Sequence, residues 1–181
     1  MFIHTALYAE AKPIIEFFDL KKVDDEYFKI YKNSNIILII SGIGKIEAAM
    51  ALSHLFTKYY DFKKIVSIGI AAATKNLSIG ELVNVNKIID KEEDKVYHLK
   101  DIDFLKNLSV TTSSKPLTTA KTPLGDMESS ALYRCAKVYK IEPTILKVVS
   151  DYFEPEKVKK DEISSLISIN INKISKVLSL Y

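Results

Sequence analysis

Tryptophan is absent from this 181-residue chain, and cysteine and arginine each occur once. A lone Cys135 excludes an intramolecular disulfide and a thiolate-rich metal centre. It fits a reducing compartment and reads as a structural thiol rather than a nucleophile. Of the 26 basic residues all but Arg134 are lysine, so the planar, bidentate grip on phosphate that arginine provides is scarce. The lysines are scattered and the net charge is only +3, which argues against a nucleic-acid surface. Long apolar runs are missing too. The longest uncharged apolar stretches, Ile36 to Ile43 and Ile65 to Ala73, fall far short of the roughly 20 residues that span a bilayer. The N-terminus lacks a basic region and meets Glu10, Lys12 and Glu16 early, so no signal peptide is expected and the default location is cytoplasmic, with no membrane partner.

What is present is an ordinary globular balance, 48% hydrophobic and 27% charged, with no internal repeat, low-complexity tract or interdomain linker. One domain over residues 1–181 is expected. Short apolar runs alternate with segments of helical spacing. Phe2 to Leu7 reads as a strand and Glu10 to Phe18 as a helix. Asn35 to Ile40 is a continuous apolar run suited to a strand buried on both faces. Between Lys45 and Tyr60 the apolar residues recur at three and four, marking an amphipathic helix. Ile65 to Ala71 reads as a buried strand and Glu81 to Ile89 as an alternating one. Asp90 to Asn107 is charged and less regular, with room for a short helix from Asp101. Val110 to Thr112 reads as a strand and Ser113 to Thr122 as a loop. A helix is expected from Met127 to Tyr139, a β-branched strand at Thr144 to Val149, and a helical tail from Asp161 to Leu180. The alternation implies an α/β protein, three-layer α/β/α with a central mixed, largely parallel sheet.

In such sheets ligands collect beyond the carboxyl ends of the strands. That rule singles out Ala9-Glu10, Ser41 to Lys45, Gly69 to Ala73 and Ser150-Asp151. Each acid also has a plain structural explanation. Glu10 and Glu128 suit the first turn of a helix, where the macrodipole favours negative charge, with Asp126 as an N-cap. Asp151 suits a turn after a strand. Ser41 to Lys45 carries two glycines, fit for a tight strand-to-helix turn, and lacks the P-loop spacing. His4 and His98 show no partners in the sequence and His54 lies in an amphipathic helix; none has metal-ligand spacing, so no metal is expected.

Four local patterns occur in a fixed order: Ala6-Leu7-Tyr8-Ala9-Glu10-Ala11, Ser41-Gly42-Ile43-Gly44-Lys45, Asp126-Met127-Glu128-Ser129-Ser130-Ala131 and Val149-Ser150-Asp151. A weaker fifth is Gly69 to Gly80 followed by Glu81-Leu82-Val83. Together they resemble the purine nucleoside phosphorylase and nucleosidase family, above all its methylthioadenosine/S-adenosylhomocysteine nucleosidase branch, over residues 2 to about 155. The resemblance implies a nucleoside phosphorylase-like fold and an enzyme that cleaves an N-ribosidic bond. Glu10 matches the carboxylate that activates water, and Met127 and Glu128 the pair that holds the ribose. Asp151 matches the acid that protonates the purine at N7, with the Ser150 hydroxyl beside it. Ser41, Gly42, Ile70, Ala71 and Lys147 fall at further substrate-binding positions. A nucleoside as substrate, no organic cofactor and a homodimer are implied as well.

The sequence departs from the family pattern in three ways. Ile70 stands where the nucleosidases carry a serine, and Lys147 where an arginine usually precedes the Ser-Asp pair. The chain is some tens of residues shorter than typical members, the shortage falling between Ile89 and Thr122. Arginine scarcity favours water over phosphate as nucleophile. The expectation is a purine nucleosidase, with a phosphate-using phosphorylase and a weakly active or non-catalytic ligand-binding relative as the alternatives.

Overall fold

The computed structural model describes residues 1–60 and 63–181. The chain runs β1 (Phe2–Thr5), α1 (Tyr8–Phe17), the hairpin β2 (Lys21–Val23) and β3 (Lys29–Lys32), β4 (Ile37–Ile40), α2 (Lys45–Lys58), β5 (Lys64–Ala73), β6 (Leu82–Asp90), β7 (Lys95–His98), β8 (Lys106–Thr112), β9 (Leu124–Asp126), α3 (Ser129–Val138), β10 (Glu142–Asp151), a 3₁₀ turn (Pro155–Lys157), α4 (Lys160–Ser168) and α5 (Ile171–Leu178).

Successive side chains of a strand point to opposite faces, so a strand apolar at every position must be covered on both. The central strands obey this residue by residue. Phe2, Ile37, Ile39, Ile65, Ile145 and Val149 join one apolar cluster with Ala51, Leu52 and Leu55 of α2 and Leu132 and Ala136 of α3. Their alternates Ile3, Leu38, Ile40, Val66, Ile68, Leu146 and Val148 join a second, with Ala11 and Ile14 of α1, Ile167 of α4 and Ile174, Val177 and Leu178 of α5. Each fully buried branched side chain contributes about 1.5–3 kcal/mol.

Strand β5 pairs with β1, β1 with β4, β4 with β3 and β3 with β2. On its other side β5 pairs with β10, β10 with β6, β6 with β8, β8 with β9, and β9 returns to β5. Five strands therefore close into a ring. Register shifts between Val149 and Asp151 and between Val85 and Lys87 supply local bends of the kind that curve strands. The sheet is mixed, and the expectation of a largely parallel one is corrected. Among the described residues β1–β4, β1–β5, β5–β10, β6–β8 and β8–β9 are parallel, whereas β2–β3, β3–β4, β5–β9, β6–β7 and β6–β10 are antiparallel. Hairpins and the reversal at Gly80, whose φ of +83° suits glycine, replace helical crossovers there.

Several elements differ from the sequence expectation. The hairpin β2–β3 and the strand β7 lie in lysine-rich segments whose exposed faces hide the alternation. Around Asp101 there is a turn rather than a short helix; Asn107 accepts the Ile102 N–H at 2.9 Å and donates to the Ile102 and Leu105 carbonyls. The helical tail breaks at Asn170, whose side-chain amide donates to the carbonyls of Leu166 and Gly80 at 3.0 and 2.9 Å. Such side-chain competition with the backbone ladder ends helices.

Helix α1 contains Pro13, which has no N–H for the carbonyl of Ala9. The Ser164 hydroxyl of α4 donates to that carbonyl instead, at 2.7 Å, and so docks α4 on α1. Among the described residues no helix is long and apolar enough to cross a membrane. Because β1, β4, β5 and β10 run parallel, their carboxyl ends share one edge of the sheet.

Candidate active site

At that edge a cavity of about 290 Å³ opens. Glu10, Ile70, Ala71, Met127, Glu128, Ser150 and Asp151 line it, between apolar walls that include Leu7, Ile43, Leu117, Val158 and Ile163. Seven of the ten site residues expected from the sequence thus meet around one hollow. Ser41, Gly42 and Lys147 do not line it; they stand in the layer that supports it.

Glu10 is 2% exposed in the first turn of α1. Its Oε2 accepts the N–H groups of Ala6 and Leu7, both at 2.9 Å, and its Oε1 accepts the N–H of Ile70, also at 2.9 Å. Three backbone donors, two just past β1 and one within β5, therefore fix the carboxyl group. Burial nevertheless pushes its pKa up, against the pull of those donors and of Lys147. Gly69 makes the approach feasible, since a Cβ there would stand 3.1 Å from Glu10 Oε1.

Glu128 sits at the N-cap of α3, immediately after β9. Its Oε1 accepts the N–H of Gly44 at 3.0 Å. Gly44 adopts a φ of +112°, so the glycines of the Ser41–Lys45 segment serve a strand-to-helix turn that also steadies an acid of the cavity. Burial raises the Glu128 pKa to about 7; Lys147 lowers it, and Asp126 and Glu10 raise it. Asp126 is spent on protein donors: Thr112 Oγ1 at 2.7 Å, the Ser129 N–H at 3.1 Å, the Ser129 hydroxyl at 2.5 Å and Lys147 at 2.8 Å. It anchors the start of α3 from two residues before the N-cap; the N-cap itself is Glu128, which corrects the expectation of Asp126 at the cap and Glu128 in the first turn.

Asp151 ends β10. The Ser150 hydroxyl donates to its Oδ2 at 2.7 Å and the Glu154 N–H to its Oδ1 at 2.9 Å. The turn that follows a strand is therefore present, and Asp151 still lines the cavity. Behind the cavity His4, 1% exposed, bridges two hydroxyls, with Nε2 2.9 Å from Ser41 Oγ and Nδ1 3.0 Å from Ser67 Oγ. Burial, with Lys147, pushes its pKa down to about 3 against a smaller opposing effect of Asp126, so the ring is neutral. Sequence reasoning left His4 without a partner, because Ser41 and Ser67 reach it only through strand pairing.

The cations are largely engaged elsewhere. Lys45 holds Asp90 at 2.8 Å and Glu92 at 2.6 Å, and Arg134 pairs with Glu93 at the surface. Lys160, near the rim, is the one cationic side chain among those lining the cavity. Among the described residues no three His, Cys, Asp or Glu side chains are grouped so as to hold a metal ion.

No protein-family model matches the sequence, and no curated protein sequence matches it. The fold is nevertheless that of the nucleoside phosphorylase and nucleosidase structures. The futalosine hydrolase of Helicobacter pylori, solved as a mutant, superposes with a TM-score of 0.84 at 14% identity, over 99% of this chain and 98% of that one. The 5′-methylthioadenosine nucleosidase of Arabidopsis thaliana gives 0.85 at 16% identity, over 99% and 94%. The Helicobacter pylori 5′-methylthioadenosine/S-adenosylhomocysteine nucleosidase, solved in complex with a substituted pyrrolidinol, gives 0.85 at 14% identity, over 99% and 97%. At these identities the similarity is one of fold.

Proposed function

We propose that this chain is a purine nucleosidase that hydrolyses the N-glycosidic bond of an adenine ribonucleoside such as methylthioadenosine. The observation that carries the proposal is the meeting of Glu10, Glu128 and Asp151, from three distant sequence positions, around one nucleoside-sized cavity. A purine anion is a poor leaving group, so a proton delivered to N7 by Asp151, with the Ser150 hydroxyl alongside, lowers the barrier. General acid–base assistance of this kind contributes about 10²–10⁴-fold. Glu10 takes a proton from water as its oxygen bonds to the sugar's anomeric carbon and the C–N bond breaks. Glu128 accepts hydrogen bonds from the ribose hydroxyls and Met127 packs against the sugar. Two carboxyl groups on opposite sides of the scissile bond divide the work as in inverting glycosidases. The products are free base and ribose derivative.

Water is the nucleophile in this scheme, because Lys45, Lys147 and Arg134 are all committed to carboxylates and only Lys160 faces the cavity. The apolar walls suit an uncharged 5′ substituent. The same reading takes the protein as cytoplasmic and homodimeric on a helix–sheet–helix scaffold, without a metal or organic cofactor. In support of a dimer, Ile43, Ile46 and Met50 form an exposed apolar stripe at the start of α2, and Ile43 continues into the cavity wall.

The test is release of base from methylthioadenosine, adenosine and inosine, with and without phosphate. Turnover independent of phosphate is expected. Turnover that requires phosphate would replace hydrolysis by phosphorolysis. Ile70, an apolar side chain where the nucleosidases carry serine, favours a second reading as a binding protein. Thermal stabilisation by adenine without turnover of any nucleoside would establish it.

A further inference from the structure

Beneath the cavity lies a group for which the scheme above has no use. Lys147 is 3% exposed on β10, directly opposite Gly69 of β5. Its ammonium stands 2.8 Å from Asp126 Oδ2 and 3.7 Å from Glu128 Oε2. A Cβ on Gly69 would lie 3.5 Å from that ammonium and 3.1 Å from Glu10 Oε1, so Lys147 and Glu10 converge on the same bare Cα. One cation therefore serves three carboxyl groups, from α1, from β9 and from the start of α3. The remaining titratable group that faces it is the neutral His4 of β1.

The three acids are not equivalent. Asp126 uses both oxygens on protein donors, and Glu10 uses both on backbone N–H groups. Glu128 gives Oε1 to Gly44, and its Oε2 meets only the more distant ammonium. Of the three acids, Glu128 therefore keeps the most accepting capacity for a ligand. A lysine suits this place because its ammonium is a compact point charge that can address several acceptors.

We propose that Lys147 is a positioning residue for the nucleosidase reaction proposed above: anchored by Asp126, it holds Glu128 and Glu10 ionised and keeps Glu128 Oε2 facing the sugar, without touching the substrate. Burial works against ionisation of both acids, and Lys147 works for it. Removing the ammonium moves their ionisation to higher pH. Removing the negative charge of Asp126 leaves Lys147 to Glu128 and Glu10 and moves it to lower pH. A side chain that merely fills space would lower the rate at every pH and leave the profile in place.

The experiment compares wild type, Lys147→Met, Lys147→Arg and Asp126→Asn. The readouts are kcat/KM for methylthioadenosine across pH and the ¹³C titration of glutamate carboxyl carbons in the substrate-free proteins, with Glu128 assigned by Glu128→Gln. In Lys147→Met the acidic limb and the Glu128 midpoint rise by at least about one pH unit, a roughly tenfold change in proton affinity. In Lys147→Arg both stay near their wild-type positions, and in Asp126→Asn both fall. A lowered rate with an unmoved midpoint in Lys147→Met would overturn the proposal, as would an unchanged rate and midpoint. Should Lys147→Met fail to fold, an unmoved or rising midpoint in Asp126→Asn overturns it. If wild type cleaves no nucleoside, the nucleosidase reading fails by itself, while the carboxyl titrations still decide whether Lys147 sets the charge of these acids.

Discussion

Replacing Glu10 with glutamine separates the two things this residue does. The carboxyl group accepts three N–H donors, two on Oε2 and one on Oε1. A glutamine offers a single acceptor oxygen. Its best orientation keeps that oxygen on Ala6 and Leu7 and turns its NH₂ toward the Ile70 N–H, so one buried donor is left unsatisfied. Such a donor costs about 1–3 kcal/mol. In a domain of this size each kcal/mol lowers Tm by roughly 2–4 °C, so Tm drops by about 2–12 °C. Neutralising a group whose pKa burial already raises offsets part of that loss, which places the drop toward the low end. The effect on rate is separate and larger. An amide cannot take a proton from water, so kcat for methylthioadenosine falls by about 10²–10⁴-fold. Initial rates of adenine release and a melting curve on the same preparation measure both. A variant that keeps wild-type turnover within a few-fold, with its Tm lowered as computed, would refute Glu10 as the base while leaving its structural role intact.

Three further outcomes follow from the geometry. Asp151→Asn retains an oxygen for the Glu154 N–H and can meet the Ser150 hydroxyl through its amide, so it folds normally yet loses about 10²–10⁴-fold in turnover; melting and rate measurements on one sample check this. Glu128 has a folded pKa raised from 4.5 to about 7, so its protonated form adds stability that is complete below about pH 4.5 and lost as pH rises through about 7. Glu128→Gln removes that loss and gains several degrees in Tm relative to wild type between pH 5 and pH 8. Ser164→Ala removes the protein donor from the half-buried Ala9 carbonyl, which Pro13 cannot replace, and destabilises the fold by about 0.5–1.5 kcal/mol in urea titrations.

The buried half of the fold is legible because its chemistry is local. Ile36 to Ile40 alternates between two apolar clusters, so a run apolar at every position identifies a strand covered on both faces. The strand-end rule brings Glu10, Ser41 to Gly44, Ile70 and Ser150-Asp151 to one edge because β1, β4, β5 and β10 are parallel. Strand direction beyond that core is not written in periodicity. The antiparallel return of β6 on β10 and of β9 on β5 depends on pairing between distant residues, which is why the sheet is more evenly mixed than expected. Lysine-rich stretches such as Lys21–Lys32 form strands whose partners, rather than their own side chains, make them so. The supporting layer of the site was the least visible. His4 and Ser67 are ordinary residues in the sequence, and Asp126 and Lys147 stand out there only as a helix cap and a substrate-binding position; the four become a polar network only when β1, β5, β9 and β10 are assembled.

Closing five strands into a ring removes their free borders, and the sheet is left with its raw margins at β2 and β7. An open margin presents unpaired N–H and C=O groups to any passing strand, the usual route to fibres. Here β2 is three residues long and begins Lys21-Lys22, and β7 begins with Lys95. A short border carrying charged, strongly hydrated side chains is a poor template for another strand, so the lysines that obscure these strands in the sequence also work against the folded chains zipping together.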